Sequence, residues 1–156
     1  MGKSTKRLYI AYGSNLNLRQ MAYRCPTAKV VGTATMKNWR LLFRGTNGSA
    51  VATVECFKGG IVPVLVWDLQ PSDEYALDIY EAYPRLYRKE TVKIKLNGKA
   101  VNAMIYIMNE DYPYGLPGNY YFGVIKSGYL SAGFDVNILH TAVRNSKKKG
   151  NNLWNP

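Results

Sequence analysis

The chain has 156 residues, 47% hydrophobic and 20% charged, with a formal net charge of +11 at pH 7. That length and balance describe one domain with its own core and exclude a disordered chain. Two cysteines without CxxC spacing and a single histidine, His140, leave no local signature for a zinc site or a Ser-His-Asp triad, which argues against a metal and against serine-hydrolase chemistry.

In chain order, residues 7–12 read as a first strand that stops at Gly13-Ser14-Asn15, three residues suited to a tight turn. Asn17–Tyr23 suits a short helix closed off by Pro26. Strand-like runs follow at Ala28–Thr35, Arg40–Phe43, Ala50–Phe57 and Ile61–Asp68, with Asn47-Gly48 and Gly59-Gly60 as turns between them. Ser72, after Pro71, is the expected cap of the clearest helix; Asp73 and Glu74 complement its dipole and Pro84 ends it. Leu86–Leu96 and Ala100–Met108 flank Asn97-Gly98, a hairpin with a type I′ turn. Tyr112–Gly118 is an irregular loop, and Tyr120–Leu130 and Asp135–Val143 are helices separated by Gly133. The pattern predicts an α+β fold with a largely antiparallel sheet or small barrel, one domain over residues 1–143, and a loosely ordered basic tail over 144–156.

Ile61–Trp67, the longest apolar stretch, contains Pro63 and is too short to span a bilayer. The N-terminal apolar run ends too early for a secretory signal, which makes a cytoplasmic location, away from membranes, the expectation. Charge is unevenly spread: residues 1–54 hold nine Lys/Arg and no acid, while five of the ten acids fall between Asp68 and Glu81. A nucleic-acid module is one reading of that balance, and a merely solubilising cationic surface is the other; the scatter of the basic residues favours the second.

Chemistry concentrates in three places. Tyr12-Gly13-Ser14-Asn15 can aim successive backbone N–H groups at an anion, although a Gly-Ser-Asn turn also serves as an ordinary loop. Glu81, four residues after Leu77, would be carried partly inward on a helix. Ringed by Tyr80, Tyr83 and Tyr87, its carboxyl would lose hydration and titrate nearer neutral pH. The competing arrangement is a surface glutamate paired with Arg85. Tyr120 and Tyr121 are the third candidates. Ser14 makes a poor nucleophile, because no base neighbours it.

Tyr9-Ile10-Ala11-Tyr12-Gly13-Ser14-Asn15-Leu16, Leu77-Asp78-Ile79-Tyr80-Glu81-Ala82-Tyr83-Pro84 and Gly115-Leu116-Pro117-Gly118-Asn119-Tyr120 occur in an order that resembles the gamma-glutamylcyclotransferase-like (AIG2-like) family over roughly residues 7–143. The resemblance implies a closed, mixed β-barrel with flanking helices. It also implies an enzyme that cyclises a γ-glutamyl amide to 5-oxoproline and releases an amine, without a cofactor. Glu81 would be the general acid/base, Tyr12, Gly13, Ser14, Asn15 and Leu16 the binding loop, and Tyr120 a pocket tyrosine. The partner is then a small γ-glutamyl substrate, with the chain a monomer or homodimer. Residues 44–49 and 110–118 are the expected readers of the leaving amine. A non-catalytic binder of an anionic small molecule or nucleotide in the same cavity is the alternative.

Overall fold

The computed structural model describes residues 6–154. Five strands, β1 (Arg7–Ala11), β2 (Lys29–Arg44), β3 (Val51–Leu69), β4 (Tyr87–Leu96) and β5 (Lys99–Met108), form one mixed sheet in the order β2-β3-β1-β5-β4. The central pair β1 and β5 is parallel and every other pairing is antiparallel. A central strand is covered on both faces, and Tyr9, Ile10 and Ala11 are accordingly all buried.

Two features of the sheet differ from expectation. The four short strands expected between residues 28 and 68 are two long ones. Lys37 pairs with Ile61 and Trp39 with Cys56, so Gly59-Gly60 lies in a bulge within β3 and not in a turn. A Cβ on Gly60 would stand 2.3 Å from the Trp39 carbonyl oxygen, so the two strands can continue past each other only with glycine there. The sheet is also not closed into a barrel. Its edge strands β2 and β4 approach where Gly32 lies beside Leu96 and Asn97, but side chains and not backbone pairing span the gap. The Asn97-Gly98 hairpin forms as expected, with φ of 52° and 82°.

A 3₁₀ turn (Ser14–Leu16) and four helices complete the domain: α1 (Leu18–Arg24), α2 (Pro71–Tyr80), α3 (Asn119–Ala132) and α4 (Val136–Trp154). Asn17 caps α1 by accepting the Gln20 N–H at 3.1 Å. In α2 the cap is Gln70 and not Ser72; Pro71 opens the first turn, and Asp73 Oδ2 accepts the Gln70 N–H at 2.9 Å. This helix stops at Tyr80, well before Pro84, because Ala82 turns into the left-handed region at φ 50°. Residues 144–154, expected to be loose, continue α4; residues 155–156 lie outside the described part. Ser146 is fully buried, accepting the Phe43 N–H at 2.8 Å and donating to the Ala142 carbonyl at 2.7 Å. Ile10, Val64, Val66, Ile105, Ile125 and Leu139 belong to one continuous core between sheet and helices.

Candidate functional site

Beyond Ala11 the chain leaves the sheet, and Leu16 N–H and Asn17 N–H close one 3₁₀ turn onto the Gly13 and Ser14 carbonyls at 3.0 and 3.1 Å. The first N–H groups of such a turn have no partner inside it, which leaves the Ser14 and Asn15 amides free to bind a ligand. Side chains fix the turn from below. Asn15 Oδ1 accepts from the Arg24 guanidinium, its Nδ2 donates to Tyr9 Oη at 2.9 Å, and its carbonyl accepts from Trp67 Nε1 at 3.2 Å. Ser14 Oγ pairs with Tyr80 Oη at 2.9 Å. Leu16 is fully buried against α3, where a Cβ on Gly128 would lie 2.6 Å from Leu16 Cβ.

Glu81 follows the last turn of α2, its N–H still bonded to the Leu77 carbonyl at 2.8 Å, and Leu77 is fully buried. That anchor delivers the glutamate to a cavity of about 250 Å³ lined also by Tyr12, Gly13, Ser14 and Asn15. Glu81 is half-buried, and burial raises its carboxyl to about 7 against the opposing pull of the Arg24 guanidinium. Arg85 forms no ion pair among the described residues, so the surface pairing with Glu81 is not made.

The remaining wall is largely tyrosine. Tyr9, Tyr12, Tyr80, Tyr87, Tyr106 and Tyr121 line the cavity together with Val51, Ala52 and Leu86. Tyr12 Oη donates to the Tyr106 carbonyl at 2.6 Å and Tyr87 Oη to the Ala52 carbonyl at 2.6 Å, while Tyr121 Oη accepts the Ala52 N–H at 2.9 Å. Tyr87 and Tyr121 thus grip one residue of β3 through its two peptide groups. Burial pushes the hydroxyls of Tyr9, Tyr12, Tyr87, Tyr106 and Tyr121 up, so near neutral pH these groups are uncharged hydrogen-bonding fixtures. Tyr106 Oη donates to Asp78 Oδ1 at 2.5 Å, which ties the cavity to a cluster of ion pairs around Lys89.

Of the residues singled out in the sequence, Tyr12, Gly13, Ser14, Asn15 and Glu81 converge on the cavity. Leu16 does not line it; it is the buried plug under the loop. Tyr120 is 80% exposed on the outer side of α3, and its neighbour Tyr121 fills the cavity position instead. Tyr80 and Tyr87 line the cavity with Glu81 as expected, whereas Tyr83 does not line it and packs edge-on against Tyr106 under the Lys89 ammonium. None of residues 44–49 or 110–118 borders the cavity; those two loops bond to each other, through Gly45 N–H to the Pro113 carbonyl and Gly48 N–H to the Leu116 carbonyl, both at 2.8 Å. Tyr9, Tyr106 and Arg24 escaped sequence reasoning, because Tyr9 and Tyr106 read as strand interior and Arg24 as a solvated helix end.

Among the described residues no cluster of three or more His, Cys, Asp or Glu is placed to hold a metal ion, and no helix is long and apolar enough to cross a membrane. Cys25 and Cys56 are both free.

Comparison with known proteins gives the family and the fold. The family model for gamma-glutamyl cyclotransferase, AIG2-like, matches residues 9–126. A solved gamma-glutamyl cyclotransferase superposes with a TM-score of 0.78 at 25% identity over 88% of this chain and 86% of that one. An uncharacterised protein from Homo sapiens gives 0.77 at 25% identity over the same shares. YkqA from Bacillus subtilis, at 18% identity, shares the fold with a TM-score of 0.75 over 92% of this chain and 55% of its own. No curated protein sequence matches. The chain belongs to the gamma-glutamyl cyclotransferase, AIG2-like family.

Proposed function

We propose that this chain cyclises a γ-glutamyl amide to 5-oxoproline and releases the amine. The observation that carries the proposal is the placement of Glu81, with its carboxyl raised to about 7, in the same cavity as the free Ser14 and Asn15 amides. Glu81 carboxylate takes a proton from the substrate α-ammonium. The freed amine attacks the γ-carbonyl carbon, closing a five-membered ring as the new C–N bond forms; the extra proton then on the ring nitrogen leaves with the departing amine, which is released as its ammonium. The protonated Glu81 then returns its proton to the leaving nitrogen as the old amide C–N bond breaks.

Nucleophile and electrophile belong to one molecule, so the site needs only to hold its bent conformer; such orientation contributes about 7–11 kcal/mol. Amides of the 12–15 turn bind the substrate carboxylate or the developing oxyanion, where losing one donor costs about 3–4 kcal/mol. Among the described residues Glu81 is the one charged side chain on the cavity wall, which favours a substrate presenting an ammonium over a nucleotide or other anion. The test is mass spectrometry for 5-oxoproline across a panel of γ-glutamyl amino acids, γ-glutamyl-lysine and γ-glutamyl polyamines, with Glu81→Gln as control. Product from at least one compound, absent in the variant, is the expected result; binding of a nucleotide in calorimetry with no product from any compound would replace it with the binder.

A further inference from the structure

Arg24 lies outside the cavity wall, yet both sides of the site depend on it. It ends α1, and its guanidinium sits over the Tyr80 ring at 3.4 Å, donates to Asn15 Oδ1, and donates to Gln20 Oε1 at 2.9 Å. Asn15 carries the binding turn and Tyr80 is the last residue of α2 before Glu81. The same two segments meet again through Ser14, whose hydroxyl bonds Tyr80. One planar cation therefore clamps the amide turn to the end of the helix that delivers the glutamate. A guanidinium can stack and donate in two directions at once, and an ammonium cannot.

The electrostatic surroundings of Glu81 make the clamp more than mechanical. Facing it are Tyr9 and Tyr12 from β1 and the residue that follows it, Tyr80 from α2, Tyr87 from β4, Tyr106 from β5 and Tyr121 from α3. Among the described residues Arg24 is the one formal charge acting on the Glu81 carboxyl, and it opposes the effect of burial.

We infer that Arg24 is a positioning residue: its guanidinium locks the substrate-binding turn onto the end of α2, and its charge acts on Glu81 from there. This inference rests on the reading of Glu81 as the acid–base group. Removing the charge leaves burial unopposed, so the carboxyl holds its proton to higher pH. A rise of one unit takes the ionised fraction at pH 7 from about a half to about a tenth, about a five-fold loss.

The experiment compares wild type, Arg24→Lys and Arg24→Met in two readouts. Carbon NMR of glutamate-labelled protein, assigned with Glu81→Gln, follows the Glu81 titration without substrate. Rate profiles for 5-oxoproline release follow the acid limb of kcat/KM. In Arg24→Met both midpoints are expected to move upward. In Arg24→Lys the midpoints stay near wild type while KM rises several-fold, because the charge survives and the clamp does not. An unchanged Glu81 titration in a folded Arg24→Met protein overturns the inference, as does a wild-type KM in Arg24→Lys. Should wild type release no 5-oxoproline from any substrate, the NMR titration still decides the Arg24–Glu81 coupling, and the failure belongs to the proposed reaction alone.

Discussion

Helix α2 and the residue that caps it carry two glutamates with opposite fates. Glu74, in the first turn, accepts from Arg7 Nε at 2.8 Å and from Lys89 Nζ at 2.7 Å, and the Arg7 hydrogen bond is the main reason its carboxyl is lowered to about 2. Glu81, at the other end, meets tyrosines and aliphatic walls, and burial raises it to about 7. The two side chains are chemically identical. Their surroundings make one a permanent anion that braces the sheet and the other a group poised to exchange a proton near neutrality.

Replacing Glu81 with glutamine breaks the contrast at its catalytic end. It keeps the shape and removes the proton acceptor, so kcat for 5-oxoproline release is expected to fall about 10²–10⁴-fold. Substrate binding in calorimetry should persist. Turnover at the wild-type rate would take the base role away from Glu81.

The same contrast makes a prediction about stability. A carboxyl raised on folding binds its proton more tightly in the native state. Glu81 therefore lowers stability as pH rises from about 4.5 to about 7, and the loss is complete above that window. Glu74 has the opposite sign: its stabilisation is present above about 4.5 and is lost as pH falls toward about 2. Urea titrations at pH 4.5 and 7.5 should show Glu81→Gln gaining on wild type by on the order of 1–3 kcal/mol between the two. A constant difference at both values would mean that Glu81 is not desolvated in solution.

Smaller changes test the cavity frame and leave the ion pairs untouched. Gly128→Val would drive a side chain into Leu16, whose Cβ and carbonyl carbon stand 2.6 and 2.8 Å from the added Cβ. A destabilisation of about 1–3 kcal/mol is expected, with a higher KM as the turn above Leu16 shifts. Tyr121→Phe removes the acceptor of the Ala52 N–H and should cost about 1–2 kcal/mol in denaturant unfolding. Tyr120→Phe, on the exposed neighbour, should leave stability and kcat/KM within experimental error. Reversal of that pair would restore Tyr120 to the site.

Much of the candidate site was legible because local signals allowed it and the family resemblance selected it. An apolar run ending in Gly-Ser-Asn makes a turn with free amides, and four-residue spacing from a buried Leu77 carries Glu81 inward. What escaped depends on tertiary contacts. Adjacent helix positions differ by about 100°, so only the packing of α3 against β3 distinguishes Tyr121 from Tyr120. The Gly59-Gly60 pair reads as a turn in any sequence; that it accommodates the Trp39 carbonyl inside a long strand pair follows from a partner about twenty residues away. Barrel closure likewise depends on how far β2 lies from β4, a distance that no local pattern encodes. Arg24 was invisible for the same reason: its partners Asn15 and Tyr80 come from two different segments.

The burial of Ser146 also bears on how the outer edge of the sheet is covered. β2 is an outer strand, and unpaired backbone there would invite a strand from another chain. At Phe43 that invitation is withdrawn: the N–H goes to the Ser146 hydroxyl and the carbonyl takes the Gly115 N–H at 3.2 Å. The match to the family model ends at residue 126, inside α3, whereas this stopper belongs to a helix that begins ten residues later. The cover of this edge thus lies outside the residues matched by the family model, and a chain cut at residue 143 would keep the matched segment while uncovering the Phe43 backbone.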